Sequence, residues 1–169
     1  MSSAGELVDV VDEDDRVIWQ ATRAEMRRRN LLHRAVYVIV LDGHDRVFVH
    51  RRTTTKDIHS GYWDVTIGGV VGAGEDYAAA AAREAAEEIG AAGVPLTPLF
   101  PLRYADASTR LVGRAYLARY DGPLVLQAEE IAAGAFVPRA EAERVMREER
   151  CCPDGAQVLR RYYATSALS

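Results

Sequence analysis

Residues 35–41, Ala-Val-Tyr-Val-Ile-Val-Leu, form an uninterrupted apolar run rich in β-branched side chains. A run without polar alternation reads as a buried strand, so the rest of the chain must supply cover for it. Asp42-Gly43-His44-Asp45 reads as a turn, and residues 46–52 resume as a strand. Upstream, the β-rich stretches 6–11 and 16–20 flank an acidic turn at 12–15, which predicts a hairpin. Thr22-Arg23-Ala24-Glu25 fits a capping box that opens a short helix to about residue 29. Downstream come a loop at 53–61, a short strand at 63–67, and a loop marked by glycines 68, 69, 72 and 74. A helix follows at 76–89, stopped by Gly90. Further strands are expected at 99–104, 110–120 and 135–137, and helices at 141–149, opened by Pro138, and 156–164. Strands and helices do not alternate regularly. The expected class is therefore α/β with a mixed sheet and helices packed on it, not a doubly wound fold.

The bulk numbers narrow the function classes. The 169 residues suit one domain, here taken as 1–169, because there is no repeat, linker or sharp composition shift. Hydrophobic residues at 49% and charged residues at 27% are globular proportions. A net charge of −4 gives no global field to hold nucleic acid, so polymeric DNA or RNA is not an expected partner. No apolar run is long enough to span a bilayer, and Met1-Ser2-Ser3-Ala4-Gly5-Glu6 lacks the layout of a signal peptide, so no membrane partner and a cytoplasmic location are expected. Cys151 and Cys152 are adjacent, without CxxC spacing, and read as reduced thiols near a helix start.

The chemistry is concentrated in residues 69–90. The string runs Gly69, five residues, Glu75, seven residues, Arg83-Glu84, two residues, Glu87-Glu88, one residue, Gly90. With Glu84 at zero and about 100° per residue, Glu88 falls near +40° and Glu87 near −60°, so the three carboxylates share a face. Ala78, Ala82, Ala86 and Ile89 are expected on the opposite face, packed on the sheet. Three acids crowded toward the C-terminal half of a helix repel one another and oppose the macrodipole. A divalent cation reverses the sign of that arrangement, since Mg²⁺ prefers carboxylate oxygens and is commonly shared with substrate phosphates. Arg83 and Glu75 would order the outer carboxylates.

In these positions the sequence resembles the signature of the Nudix hydrolase family, with the box at 69–91; Ala85 and Ala91 stand where bulkier aliphatics are usual. The resemblance implies an α/β/α sandwich and a hydrolase that cleaves a diphosphate linkage in a small molecule. It implies that Glu87 and Glu88 bind Mg²⁺, with Mn²⁺ as a substitute, and that Glu84 binds metal or activates water. Glu75 and Arg83 would support these, and the backbone at Gly68 and Gly69 would add a carbonyl ligand. Glu129 and Glu130 are expected sources of one more acid from outside the helix.

The resemblance extends beyond the box. Leu32-His33-Arg34-Ala35, Arg51-Arg52 with Lys56, and Gly61-Tyr62-Trp63 look like the isopentenyl diphosphate isomerase branch and its hydrolase relatives. By that likeness Arg52, Lys56 and, more weakly, Arg23 would hold a diphosphate, and Trp63, Tyr62 and Tyr77 would lie near the cleft. The isomerase chemistry itself is missing. Gly68 replaces its cysteine, Val70 and Arg27 replace metal histidines, and its acid pair falls at Gly113 and Ala115. His33 alone remains and reads as structural. Hydrolysis of a nucleoside di- or triphosphate, or of a nucleoside diphosphate derivative, is the expected activity, by a monomer or homodimer. An isomerase-like enzyme and a non-catalytic nucleotide-binding module are the alternatives.

Overall fold

In chain order the elements are β1 (Leu7–Val11), β2 (Val17–Thr22), α1 (Arg23–Arg29), β3 (Leu32–Leu41), β4 (Val47–Arg52), β5 (Trp63–Asp64), β6 (Ile67–Val70), α2 (Tyr77–Ile89), β7 (Leu96–Ala105), β8 (Arg110–Arg119), β9 (Ile131–Val137), α3 (Arg139–Glu148) and α4 (Pro153–Ser166). The structure, a computed structural model, describes residues 3–166. Met1 and Ser2, part of the N-terminal stretch read above, lie outside the described residues.

Strand β3 is the axis. It pairs in parallel with β8 along its whole length, from Leu32↔Arg110 to Leu41↔Arg119. Its other edge is shared in turn by β1 at His33, β6 at Ala35 to Val38 and β4 at Leu41, all antiparallel. Strand β7 lies outside β8, β2 outside β1, and β5 and β9 both pair with β4. One parallel pairing among antiparallel ones makes the sheet mixed, as the element order predicts.

Alternate side chains of β3 point to opposite faces, and both faces are covered. Ala35, Tyr37, Ile39 and Leu41 pack with Ala142, Val145 and Met146 of α3 and Ala156, Val158 and Leu159 of α4. Val36, Val38 and Val40 pack with Phe48 and with Ala80, Ala81, Ala85 and Ile89 of α2. The apolar run at 35–41 thus lies between two helical layers, the α/β/α sandwich that the resemblance implies. No helix among the described residues is long and apolar enough to cross a membrane.

Helix α2 starts where Asp76 accepts the Ala79 N–H at 2.7 Å and stops at Gly90, which adopts φ 79°. Its sheet-facing seam differs from the expected one. Ala80, Ala81, Ala85, Glu88 and Ile89 are buried, whereas Ala78 and Ala82 are exposed and Ala86 is half-buried. On the same wheel Ala81 and Ala85 fall at about +60° and +100° from Glu84, so the helix is rolled toward its acids. The acidic flank and the packing seam overlap, which takes Glu88 into the protein instead of leaving it on an outer face.

Other boundaries move because a strand's extent follows its partners, and β3 itself begins at Leu32, where it pairs with Arg110 of β8. The expected strand at 63–67 divides because β5 pairs with β4 whereas β6 pairs with β3. Gly68 and Gly69 belong to strand β6, not to a loop. Gly68 adopts φ 145°, and a Cβ there would run into the Val36 carbonyl, so only glycine fits. Strands β7 and β9 begin earlier than side-chain propensity suggests, at Leu96 and Ile131, because β8 and β4 offer them partners.

Candidate active site

The carboxylates of α2 are ordered by one guanidinium. Arg83 Nε and Nη2 donate to Glu75 at 2.9 and 3.0 Å, and Nη1 donates to Glu84 at 2.9 Å and Glu87 at 3.3 Å. Glu75 also accepts the Gly72 N–H at 3.1 Å. These bonds hold the Glu75 carboxyl below its usual range, with the Arg83 bond the largest cause. Glu87 remains half-exposed at the rim.

Glu84 and Glu88 behave differently. The Glu84 side chain is 12% exposed and Glu88 is 6% exposed. Burial raises the Glu84 carboxyl against the pull of Arg83. Burial and then the charge of Glu84 push Glu88 well above the carboxylate range, opposed by Lys56. The two carboxyls lie side by side, so that the charge of Glu84 adds to burial in disfavouring ionisation of Glu88. Gly69 forms the floor under this pair. A Cβ on it would lie 2.7 Å from Glu84 Oε1.

A second group of charges faces these acids. Lys56, from the 53–62 loop, makes an ion pair with Glu130. Glu130 reaches this place because Gln127 N–H bonds to the Glu88 carbonyl at 2.9 Å, which ties the segment before β9 to the end of α2. Lys56 also lines a cavity with Arg23 and Arg27 of α1, Arg52 of β4, and Gly68 and Gly69 of β6. Asp57 bridges the α1 pair, accepting from Arg27 Nε at 3.1 Å and Arg23 Nε at 3.4 Å. Burial raises the Asp57 carboxyl, but Arg27 and Arg23 outweigh it and hold it at about 2. Arg52 Nη2 donates to the Ile58 carbonyl at 3.2 Å, Arg52 Nη1 lies 4.0 Å from Asp64, and Arg52 Nε is buried without a partner.

The far wall is made of residues that local sequence does not connect. Asp64 is largely buried, and its Oδ1 accepts both the Thr66 N–H and hydroxyl at 3.1 Å. Burial, then the nearby charge of Asp154, raises its carboxyl to about 6. Asp154 accepts the Tyr37 hydroxyl at 2.7 Å. Cys152 and His59 line the same wall.

Of the sequence-derived residues, Glu75, Arg83, Glu84, Glu87, Glu88, Gly69, Arg23, Arg52 and Lys56 come together around this cavity and its acidic flank. Of the two proposed outer acids, Glu130 joins them, whereas Glu129 is exposed and contributes its backbone carbonyl to Thr53. Trp63 requires a correction: it packs against the core under α3 and α4. Strand alternation that turns Asp64 to the cavity turns Trp63 away. Tyr77 is also elsewhere, bonded to Asp15 at 2.8 Å and covered by Arg34 and Arg114. Tyr62 rests on the ring of His59. His33 is buried with Nδ1 2.9 Å from the Leu31 carbonyl, and burial lowers it to about 4, consistent with a structural role. Arg27, read only as a lost metal histidine, is a cavity cation. Cys152, His59, Asp64 and Asp154 were not signalled by spacing.

A NUDIX domain model matches residues 31–161. The chain belongs to the Nudix hydrolase family. It is 46% identical to an uncharacterized Nudix hydrolase of Streptomyces coelicolor, covering 100% of this chain and 94% of that one. A Nudix hydrolase of Pseudomonas aeruginosa is 38% identical over 95% of both chains. Among solved structures, a Deinococcus radiodurans protein superposes with a TM-score of 0.80 at 26% identity, covering 92% of this chain and 98% of that one. The Nudix domain of NrtR from Shewanella oneidensis, complexed with ADP ribose, shares the fold at 18% identity with a TM-score of 0.66, over 88% of this chain and 100% of that one. Nudix hydrolases generally need a divalent metal. The Glu84–Glu88 pair fits one, because a cation would offset the charge of two carboxylates whose burial disfavours ionisation.

Proposed function

We propose that the protein is a Mg²⁺-dependent pyrophosphohydrolase, with Mn²⁺ as a substitute, acting on a nucleoside di- or triphosphate or a nucleoside diphosphate derivative. The observation that carries this reading is the juxtaposition of two buried carboxylates, Glu84 and Glu88, with a cavity lined by Arg23, Arg27, Arg52 and Lys56. Acids alone would repel a diphosphate, and cations alone would bind it without cleaving it.

Glu84, Glu87 and Glu88, with the Gly69 carbonyl, would hold the metal. When bound, that cation neutralises phosphate charge and acidifies a water. Arg52 and Lys56 hold the diphosphate and Arg23 steadies its outer end. Arg83 fixes Glu84 and Glu87 through the Glu75 fork, so these acids meet the substrate already oriented. A Glu84 oxygen accepts the proton of the attacking water as its oxygen bonds to phosphorus and the bridging oxygen departs with the second phosphate. Glu130, paired to Lys56, stands ready as the outer acid.

The substrate class is supported by the charge of the cavity and by the ADP ribose bound to the NrtR domain. The kinship of the motif around Arg52 and Lys56 supports placing the chain with hydrolase relatives of the isomerase branch. Isomerisation itself is disfavoured, since Gly113 and Ala115 are buried strand residues of β8 and supply no acid. The test is a panel of nucleotide and sugar-nucleotide substrates with Mg²⁺ or Mn²⁺, scored by product masses. Cleavage at a diphosphate bond is expected. Deuterium uptake from solvent into isopentenyl diphosphate, with no hydrolysis of any panel member, would replace this reading.

A further inference from the structure

We propose a second cation site, of different chemistry, in the far wall of the cavity: His59, Cys152 and Asp154 form a three-ligand site for a thiophilic divalent ion, Zn²⁺ being the natural occupant. A ring nitrogen of His59, the Cys152 sulfur and an Asp154 carboxylate oxygen all lie within 4.8 Å of one another. Ligands of a tetrahedral zinc stand roughly 3.3–3.8 Å apart, given Zn–N and Zn–O near 2.1 Å and Zn–S near 2.3 Å, so a closure of about 1 Å brings the three donors to ligand spacing. One nitrogen, one thiolate and one carboxylate is a donor set that zinc accepts and magnesium does not prefer.

Three features of the surroundings support the site. Tyr37 donates its hydroxyl to Asp154 Oδ2 at 2.7 Å, which fixes that carboxylate and leaves its other oxygen for a cation. Asp64 adds a further buried acid beside the group, its own Oδ1 taken up by Thr66. With the thiolate formed, Asp64, Cys152 and Asp154 are three negative groups near the Arg52 guanidinium, while Arg27 and Arg23 of the same cavity are paired with Asp57. Finally, all three ligands line the cavity that also holds Gly68, Gly69, Arg52 and Lys56, so the fourth coordination position opens toward the cleft and not into packed core.

The ligands come from distant places. His59 lies in the 53–62 loop, at φ 50°, and Cys152 and Asp154 flank the start of α4. The backbone already brings these segments together, with the Cys152 N–H bonded to the Trp63 carbonyl at 2.8 Å and the Trp63 N–H to Arg150 at 2.8 Å. A bound ion would tie the loop that carries Lys56 to the C-terminal helix. Binding forms the metal–sulfur bond and releases the Cys152 thiol proton to solvent, with no redox step.

The test uses full-length protein stripped with chelator, reloaded with Zn²⁺ or Co²⁺ and desalted. One zinc per chain should be retained, and the cobalt form should show a thiolate-to-cobalt charge-transfer band with tetrahedral d–d absorption. Cys152→Ser and His59→Ala should each abolish both signals. Cys151→Ser should keep them, as should Glu88→Gln, which removes a proposed magnesium ligand and so separates this site from the acidic helix. If Cys152→Ser does not fold, the His59→Ala variant, altered in a loop, decides the matter. Failure of the wild-type protein to retain zinc, or an unchanged cobalt–thiolate band in His59→Ala, would overturn the assignment.

Discussion

The acidic flank beside the cavity and the cavity's far wall are built in opposite ways. The acidic flank comes from one short stretch, Glu75 to Glu88, and its geometry follows from helical periodicity and one arginine. The far wall gathers Tyr37, His59, Asp64, Cys152 and Asp154 from a central strand, a loop, an edge strand and a helix start. Both bury charge, but the first compensates it within a helix turn and the second only across the fold. Local compensation survives small shifts of the surrounding structure, whereas the far wall depends on every packing contact that brings α4 to β3.

The largest effect that could break this comparison is expected on the acidic flank. Glu88→Gln should lower kcat/KM by about 10³-fold or more while far-UV circular dichroism is retained. Wild-type turnover in that variant would remove α2 from the mechanism. Gly69→Ala comes next. The new methyl meets Glu84 Oε1 at 2.7 Å, so Glu84 must turn away, and kcat should fall by about 10-fold or more with little change in Tm. On the cationic side, Arg23→Ala should raise KM by roughly 10-fold with a smaller change in kcat, as expected for loss of one charged hydrogen bond. An equal loss in kcat alone would show that Arg23 acts on the reaction and not on binding.

The pH dependence sharpens the same contrast. Burial raises Glu84 and Glu88 above the ordinary value of 4.5. A carboxyl with a raised folded pKa stabilises the fold fully below its unfolded pKa, and that stability is lost as pH rises through the folded value. The Tm of metal-free protein should therefore decline as pH rises above 4.5, and saturating Mg²⁺ should remove the decline. Glu88→Gln should flatten the metal-free profile. A metal-free Tm that climbs over this range would contradict the raised Glu84 and Glu88 carboxyls. The smallest effect belongs to the cap of α1: Thr22→Ala removes the oxygen that accepts Glu25 N–H at 3.2 Å and should cost about 1 kcal/mol in denaturant unfolding.

How much of this was legible varied with the range of the forces involved. Hairpin β1–β2, the start of α1, strand β3 and the limits of α2 were readable, because turn chemistry, caps and apolar runs act over a few residues. The face of α2 was not. The wheel grouped Glu84, Glu87 and Glu88 correctly, but it could not say that the sheet would take Ala81 and Ala85, and with them Glu88, as its contact seam. Trp63 was misplaced because its neighbour Asp64, not its own aromatic character, decides which side of β5 faces the cavity. Cys152 was read as a plain reduced thiol for want of CxxC spacing, yet pairing of Trp63 with the 150–152 segment carries it into the cavity wall.

The sequence by itself determined the sandwich's central strand, the carboxylate helix and the family to which the chain belongs, since each is encoded within a few turns or one strand, where periodicity and spacing govern. Only the tertiary structure decided which carboxylates are dehydrated, that Glu130 and not Glu129 pairs with Lys56, that Arg27 lines the cavity, and that His59, Cys152 and Asp154 meet. Burial and electrostatic coupling depend on what lies across the sheet, and no spacing along a chain records that distance.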